Sequence, residues 1–390
     1  MLIAISLLLA ACTQAAESPA TPAPPMPTAT TSSTTVVVPT TAAPEPESVD
    51  GVWYLVSVTA SLPAALSQNL EAIDGVAAAT TARVGTLDLV RSVDGYGAVV
   101  DALSDDYTIP LEAQTFHPQG RSGFVPPAVE RSLRDLRPGE VVLSESSSHV
   151  RRLGVGGILT LGDGRTLSVV GVVADEWVGD AEVVVSNEDA ALLGVSNERY
   201  SIVLYKGAIE DLERDANALV DADVRVRSRD NVDMFRHADA VASQLAVKVR
   251  YGEFSYRPAG GGAIEIDPAW VASNILHEHI PLLGGITCHR DYVAMLREVM
   301  TTLEVQGHTD VIDRSAYKGC WNPRFIRGRA DLSHHAWGVA ADINFGNDLD
   351  GPGSPTDPRL IEAMAALGIL SGHTWTDPGP GHFEWFPTKE

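Results

Sequence analysis

Between residues 140 and 186 the chain alternates short aliphatic runs with polar turns: EVVLS (140–144), ILTL (158–161), TLSVVGVV (166–173) and AEVVVS (181–186). Each run has the length and β-branched composition of a strand. Gly162-Asp163-Gly164-Arg165 separates the second from the third, and Asp-Gly between apolar runs predicts a hairpin. Helical stretches are read around Leu62 to Ala79 and Ala208 to Leu219. In HRDYVAMLREVMTTLEVQG (289–307), Tyr292, Leu296, Val299 and Leu303 fall on one helical face, and Gly307 ends the helix. A further helix opens with Asp357 as N-cap and Pro358 as its first residue and runs through RLIEAMAAL to Gly368. YGEFSYRPAGGG (251–262) reads as a flexible break. GVGG (154–157) is followed by neither GKS/T nor a helix, so turn geometry is preferred to a phosphate cradle. The pattern predicts an α+β fold of two domains, residues 50–249 and 250–390, the second with helices packed on a small antiparallel sheet.

The N-terminus differs from both. Leu2 to Ala11 is an apolar run of ten residues, shorter than the roughly 20 that cross a bilayer as a helix, and reads as a secretion signal. It closes on LAAC, which resembles a bacterial lipobox and implies lipidation of Cys12, although no Lys or Arg precedes the run. A cleaved signal with an incidental cysteine is the alternative. Residues 13–49 are dominated by Pro, Thr, Ala and Ser and read as a disordered stalk. The expected location is extracytoplasmic, facing the cell wall, with a lipid anchor to the membrane.

Length and charge narrow the function. The 390 residues suit two folded units on the rough prior of about 100–200 residues each. A net charge of -23, from 28 Lys and Arg against 51 Asp and Glu, excludes nucleic acid as a partner. In an oxidising compartment Cys288 and Cys320 pair as a disulfide, two free buried thiols being the alternative.

The densest chemistry lies in LSHHAWGVAADIN (332–344). His335 and Asp342 stand seven apart with Gly338, Ala340 and Ala341 between them, small residues that let backbone approach an ion. WTDPGPGHFEWF (375–386) adds His382, which makes three zinc ligands available. Alone, His-x6-Asp is weak, since a histidine in an apolar run is more often a satisfied core residue. Ser333, His335, Gly338, Ala340 and Asp342 together fit S-x-H-x-x-G-x-A-x-D, with GHFEW about 40 residues on. This resembles the zinc D-alanyl-D-alanine carboxypeptidase family (VanY-type and L-alanyl-D-glutamate peptidases) over roughly residues 250–390.

The resemblance implies His335, Asp342 and His382 as Zn2+ ligands, with His334 at a variable surface or second-layer position. It implies Ser333 near the metal, where a turn or cap role is the alternative, and Arg324 in CWNPRFIRG on substrate and oxyanion. Residues 314–330 hold Arg314, Lys318, Arg324, Arg327 and Arg329 and no acid, which suits a carboxylate-bearing peptidoglycan stem peptide, although a solvated basic loop has the same composition. The family's general base stands three residues before the last histidine, where this chain has Gly379. Asp377, five before His382, is the expected replacement, and Glu384 a weaker one. HEH (277–279) lacks zincin spacing and reads as surface strand or turn, while His373 is near enough in sequence to touch substrate.

LRPGEVVLSESSSHVRRLGVGGILTLGDGRTLSVVGVVAD (136–175) resembles the extracytoplasmic core of MacB/FtsX-type permeases, although this chain carries none of their membrane helices. The implied role is contact with a protein partner or with the neighbouring domain. The expected function is zinc-dependent hydrolysis of a peptide bond involving a D-amino acid in peptidoglycan. The alternative is a non-catalytic wall-binding or regulatory protein that retains the metal fold.

Overall fold

The computed structural model describes residues 51–387 apart from 58–61, 64–65, 67–68, 105, 117–123, 180, 221–223, 229–241, 348–350, 352, 374 and 376–377. The signal segment, the stalk, Cys12 and Asp377 lie outside the described residues. Among the described residues no helix is long and apolar enough to cross a membrane.

Among the described residues ten strands share one sheet: β1 (Val52–Ser57), β2 (Val76–Val93), β3 (Val99–Ala102), β4 (Ile109–Phe116), β5 (Glu140–Ser144), β6 (Ile158–Leu161), β7 (Thr166–Val173), β8 (Val183–Val185), β9 (Asn197–Tyr205) and β10 (Val224–Ser228). Their order is β10-β1-β9-β2-β4-β8-β5-β7-β6, with β3 beside β2. β2 also pairs with β6, so β2-β4-β8-β5-β7-β6 closes on itself as a small barrel. The 18-residue length of β2 makes this possible, since its first half pairs with β9 and its second with β4 and β6. Closure removes free edges within the ring. Leu87, Leu89, Leu111, Leu143, Leu159, Leu161 and Val169 form the core it shares with its flanking loops.

The runs 140–144, 158–161 and 166–173 are strands with those bounds, and Gly164 takes φ +86° in the hairpin turn between β6 and β7. The helical reading of Leu62–Ala79 holds in part: Leu66 and Asn69 are helical, but the helix does not reach Ala79. β2 begins at Val76, and before it stands a short 3-10 turn, Leu70–Ala72. Pairing of Val76–Val84 with β9 overrides the helix preference of its alanines.

The C-terminal region gathers its own core from Ala242 to Phe383. Two antiparallel hairpins, β11 (Tyr256–Gly260) with β12 (Ala263–Ile266) and β13 (Ile275–Ile280) with β14 (Gly284–His289), precede a helix at Arg290–Val305. His277 and His279 lie exposed on β13, as HEH suggested. The helix buries Tyr292, Val293, Leu296, Val299, Met300 and Leu303. The His289 ring accepts the Asp291 N–H as its N-cap, and Gly307 follows its last turn at φ +77°. A three-stranded antiparallel sheet, β15 (Ala340–Asp342), β17 (Gly379–Trp385) and β16 (Ile369–Gly372) in that spatial order, packs against a second helix, Pro358–Ala365. Asp357 caps that helix by accepting the Arg359 N–H at 3.0 Å. Residues 251–262 are not a break: Tyr251, Phe254 and Tyr256 are buried core, and the Pro-Ala-Gly portion is the hairpin tip. Three aromatics at alternate or near-alternate positions bury more apolar surface than the glycines leave flexible.

The described residues fall in one compact unit. Its two cores meet across a buried ionic cluster. Arg151 contacts Glu182 and Glu253, each at 2.6 Å, and Lys248 contacts Glu182 at 2.6 Å and the Pro110 carbonyl. Beside it Glu112 accepts from the backbone and side chain of Gln244 at 3.0 and 3.1 Å. Burial alone would raise the Glu182 carboxyl, but Lys248 and Arg151 hold it below the ordinary range, so it stays ionised. Thr108 and Tyr256 exchange backbone hydrogen bonds at 2.8 Å and extend the junction.

Removing one member of such a cluster leaves an uncompensated buried charge. Glu182→Gln should lower unfolding free energy by about 3–5 kcal/mol, read by urea titration of the full chain. Glu265→Gln, which touches only exposed contacts with Arg257 and the Tyr107 hydroxyl, should leave the midpoint unchanged.

Candidate metal centre

Leu332–Asn344 folds into three pieces. Ser333 enters a 3-10 turn, His334–Ala336; Gly338 reverses the chain; and β15 follows. Gly338 has φ +71°, and a Cβ there would stand 2.6 Å from the backbone nitrogen of His289. Both facts require glycine. Its carbonyl accepts that same His289 N–H at 2.9 Å, while Ala336, Trp337, Val339, Ala340 and Ala341 are fully buried. The motif's small residues therefore fix backbone position around the polar ones.

His335 Nδ1 lies 2.6 Å from the Cys320 carbonyl, a bond that assigns the proton to Nδ1 and leaves a lone pair on Nε2. Nε2 is buried without a hydrogen-bond partner and stands 3.4 Å from Asp342 Oδ1. β15 and β17 pair in a register that sets Asp342 directly across from His382, and Asp342 Oδ1 lies 2.9 Å from His382 Nδ1. The ligand atoms of His335, Asp342 and His382 all lie within 4.8 Å of one another. Two imidazole nitrogens and a carboxylate oxygen, one nitrogen bare and aimed inward, fit zinc.

Behind the three is a second layer. His382 Nε2 contacts Glu384 Oε2 at 3.1 Å, and the same oxygen lies 3.0 Å from His334 Nδ1. Glu384 shares a strand face with His382, while Phe383 between them enters the core. His334 is buried at 3% exposure, so the surface alternative for it does not hold. Burial would lower the His382 pKa, but hydrogen bonds to Asp342 and Glu384 and their charges raise it to about 9. Burial would raise both carboxyls; the paired histidines instead hold Asp342 and Glu384 well below the ordinary range.

A strap at residues 318–322 positions two of the three candidate ligands. Lys318 and Gly319 bracket Asp342 through backbone bonds of 2.9 Å, Asn322 N–H donates to the His335 carbonyl at 2.9 Å, and Trp321 Nε1–H to the Ala336 carbonyl at 3.1 Å. Cys320 on the strap is bonded to Cys288 at the end of β14, with Cα atoms 5.4 Å apart. Arg324 is half-buried; its carbonyl accepts the Ser333 N–H at 3.0 Å, and its guanidinium donates to the Phe325 carbonyl at 3.3 Å. Ser333 is buried at the entry to the turn, and its side chain makes no cap bond.

The sequence reading passed over Glu384 and His334 as an orienting pair; the alternation of HFE was the available signal for the first. It also passed over Tyr317, whose hydroxyl is buried and unpartnered and whose pKa is raised by burial and by Asp342, and Trp375, whose ring centroid is 5.0 Å from that of His382.

No protein-family model matches the chain, and no curated protein matches it. Among solved structures, the periplasmic region of MacB from Actinobacillus actinomycetemcomitans is similar at 12% identity and a TM-score of 0.32, covering 46% of this chain and 90% of that one. The extracellular domain of the ABC-type transporter YknZ from Gram-positive bacteria is similar at 13% identity and a TM-score of 0.28, covering 45% of this chain and all of that one.

A histidine raised from 6.5 to about 9 in the folded chain stabilises it fully below about pH 6.5, and that contribution is lost as pH rises through 9. Chelator-treated protein should lose on the order of 3 kcal/mol between pH 6 and 10 in thermal melts, a slope that His382→Gln flattens. Glu384→Gln should weaken zinc binding by about 10–100-fold in competition with a chromogenic chelator.

Proposed function

We propose that the C-terminal region is a zinc-dependent peptidase that hydrolyses a peptide bond involving a D-amino acid in peptidoglycan. The observation that carries the reading is the convergence of His335, Asp342 and His382 with the His335 Nε2 lone pair left bare. The motif resemblance supports the substrate class.

Zinc held there supplies a Lewis acid toward a carbonyl oxygen and acidifies water. The chain's own groups do the rest. The Cys320 carbonyl holds the His335 tautomer, and Glu384 accepts the Nε2–H of His382 and leaves its Nδ1 facing Asp342. Arg324 offers a guanidinium for a stem-peptide carboxylate or a developing oxyanion, and Ser333 lines the entry to the turn. Asp377 is the proposed base, accepting a proton from the attacking water and returning it to the leaving amine. That assignment rests on sequence position.

Extracytoplasmic placement with a lipid anchor at Cys12 belongs to the same proposal, as does a protein partner for the barrel module. One observation favours a wall-binding protein without turnover: Gly379 occupies the position of the family's base, and Glu384 is already engaged by two histidines.

A D-Ala-D-Ala-terminated peptide separates the two. The hydrolase reading expects cleavage that stops with chelator, returns with zinc, disappears in His335→Ala and falls about 100-fold in kcat/KM in Arg324→Ala. Peptide that binds in a chelator-sensitive way and is never cut establishes the wall-binding reading instead.

A further inference from the structure

Gly372 and Gly379 pair at the base of the connection between β16 and β17. Trp375 folds back over that base. Its backbone N–H donates to the Gly372 carbonyl at 3.1 Å, and its indole occupies the space a side chain at Gly372 would fill, 3.2 Å from a Cβ built there. A Cβ on Gly379 would reach the same ring at 3.9 Å. The glycine standing where the family has its base is thus part of the seat for an aromatic ring.

That ring meets the metal cluster. Its centroid lies 5.0 Å from the His382 imidazole, at an interplanar angle of 59°. Its Nε1–H is shielded from solvent and has no hydrogen-bond partner. On the same connection, Nδ1 of His373 is likewise buried and unpaired. Buried polar groups are ordinarily satisfied, and leaving one unmet costs free energy. An indole needed only for packing against His382 would be served equally by phenylalanine, which brings no orphan donor. The unpaired N–H beside a ligand-bearing strand therefore calls for an acceptor that arrives with the ligand.

We propose that Trp375 is a substrate-positioning residue whose indole N–H donates to a carbonyl or carboxylate oxygen of a peptide held at the His335–Asp342–His382 cluster. The inference rests on the peptidase reading, since that reading brings a peptide oxygen to this place.

Trp375→Phe keeps the ring face and removes the donor; Trp375→Ala removes both. The probe is acetyl-lysyl-D-alanyl-D-alanine, added to the zinc-loaded full chain. The indole ¹⁵N–H resonance that Trp375→Phe lacks should move downfield as this peptide binds to the wild type. In Trp375→Phe the peptide Kd should rise about tenfold with the zinc Kd within twofold, whereas Trp375→Ala should weaken zinc as well. A resonance unmoved at saturating peptide, or equal peptide affinity in Trp375→Phe, overturns the proposal and assigns the N–H to water. Peptide cut equally well by both proteins sinks the donor and keeps the hydrolase. Peptide that moves the resonance yet is never cut sinks the hydrolase and keeps the donor.

Discussion

The hydrogen bond from His335 Nδ1 to the Cys320 carbonyl is the constraint on which the candidate centre depends. An imidazole free to rotate would present either nitrogen, in either tautomer, to the interior. One carbonyl removes that freedom, and the carbonyl is itself fixed: Cys320 is tied to Cys288, and the neighbouring His289 both caps the 16-residue helix and donates its N–H to Gly338. The strap carrying Cys320 also brackets Asp342, so a five-residue segment sets two candidate ligands, while the pairing of β15 with β17 sets the third. Rigid backbone around a small set of donors is how ligand positions are held in advance of binding. The fully buried Trp337, hydrogen-bonded to the Gly252 carbonyl at 3.1 Å, ties the same turn to the end of the helix Gln244–Tyr251.

That helix connects the centre to the barrel. Its Lys248 enters the ionic cluster with Glu182 and Arg151, and its Gln244 pairs with Glu112. Buried charges add little net stability against an apolar replacement, because desolvation offsets their attraction. Their value here is selectivity of docking. Arg151, Glu182 and Glu112 come from the barrel side and Lys248, Glu253 and Gln244 from the other, so any slip of one body on the other strands unpaired charge. A fixed junction carries the candidate metal centre at a set orientation to the barrel, which an apolar seam alone would define less sharply.

Legibility in the sequence followed how local each cause was. The Asp-Gly hairpin, the helix with apolar residues at 292, 296, 299 and 303, and the Asp357-Pro358 cap are set by neighbours within a few residues, and they stand as read. The end of the 62–79 stretch, from Val76, and residues 251–262 did not, because strand pairing across more than a hundred residues decides the first and aromatic burial the second. The same division runs through the site. His335, Asp342 and His382 were visible as residue types in a spaced motif. The His334–Glu384 contact and the unpaired indole of Trp375 exist only once β15, β16 and β17 are assembled, and no spacing along the chain encodes them.

Charge resolves an apparent conflict in this arrangement. With a net charge of -23, the protein as a whole repels an anionic peptide, yet the proposed substrate carries carboxylates. Screening decides which field that peptide meets. At physiological ionic strength the Debye length is about 8 Å, so exposed acids farther off contribute little. The strap and its continuation hold Lys318, Arg324, Arg327 and Arg329 with no acid between residues 314 and 330, and this stretch is the one bonded to Ser333 and Asp342. The local sign along this stretch is therefore positive, against the negative net charge of the chain. A carboxylate-bearing peptide would be held off most of the surface and accepted at one place, an orientation preference that needs no tight contact to operate.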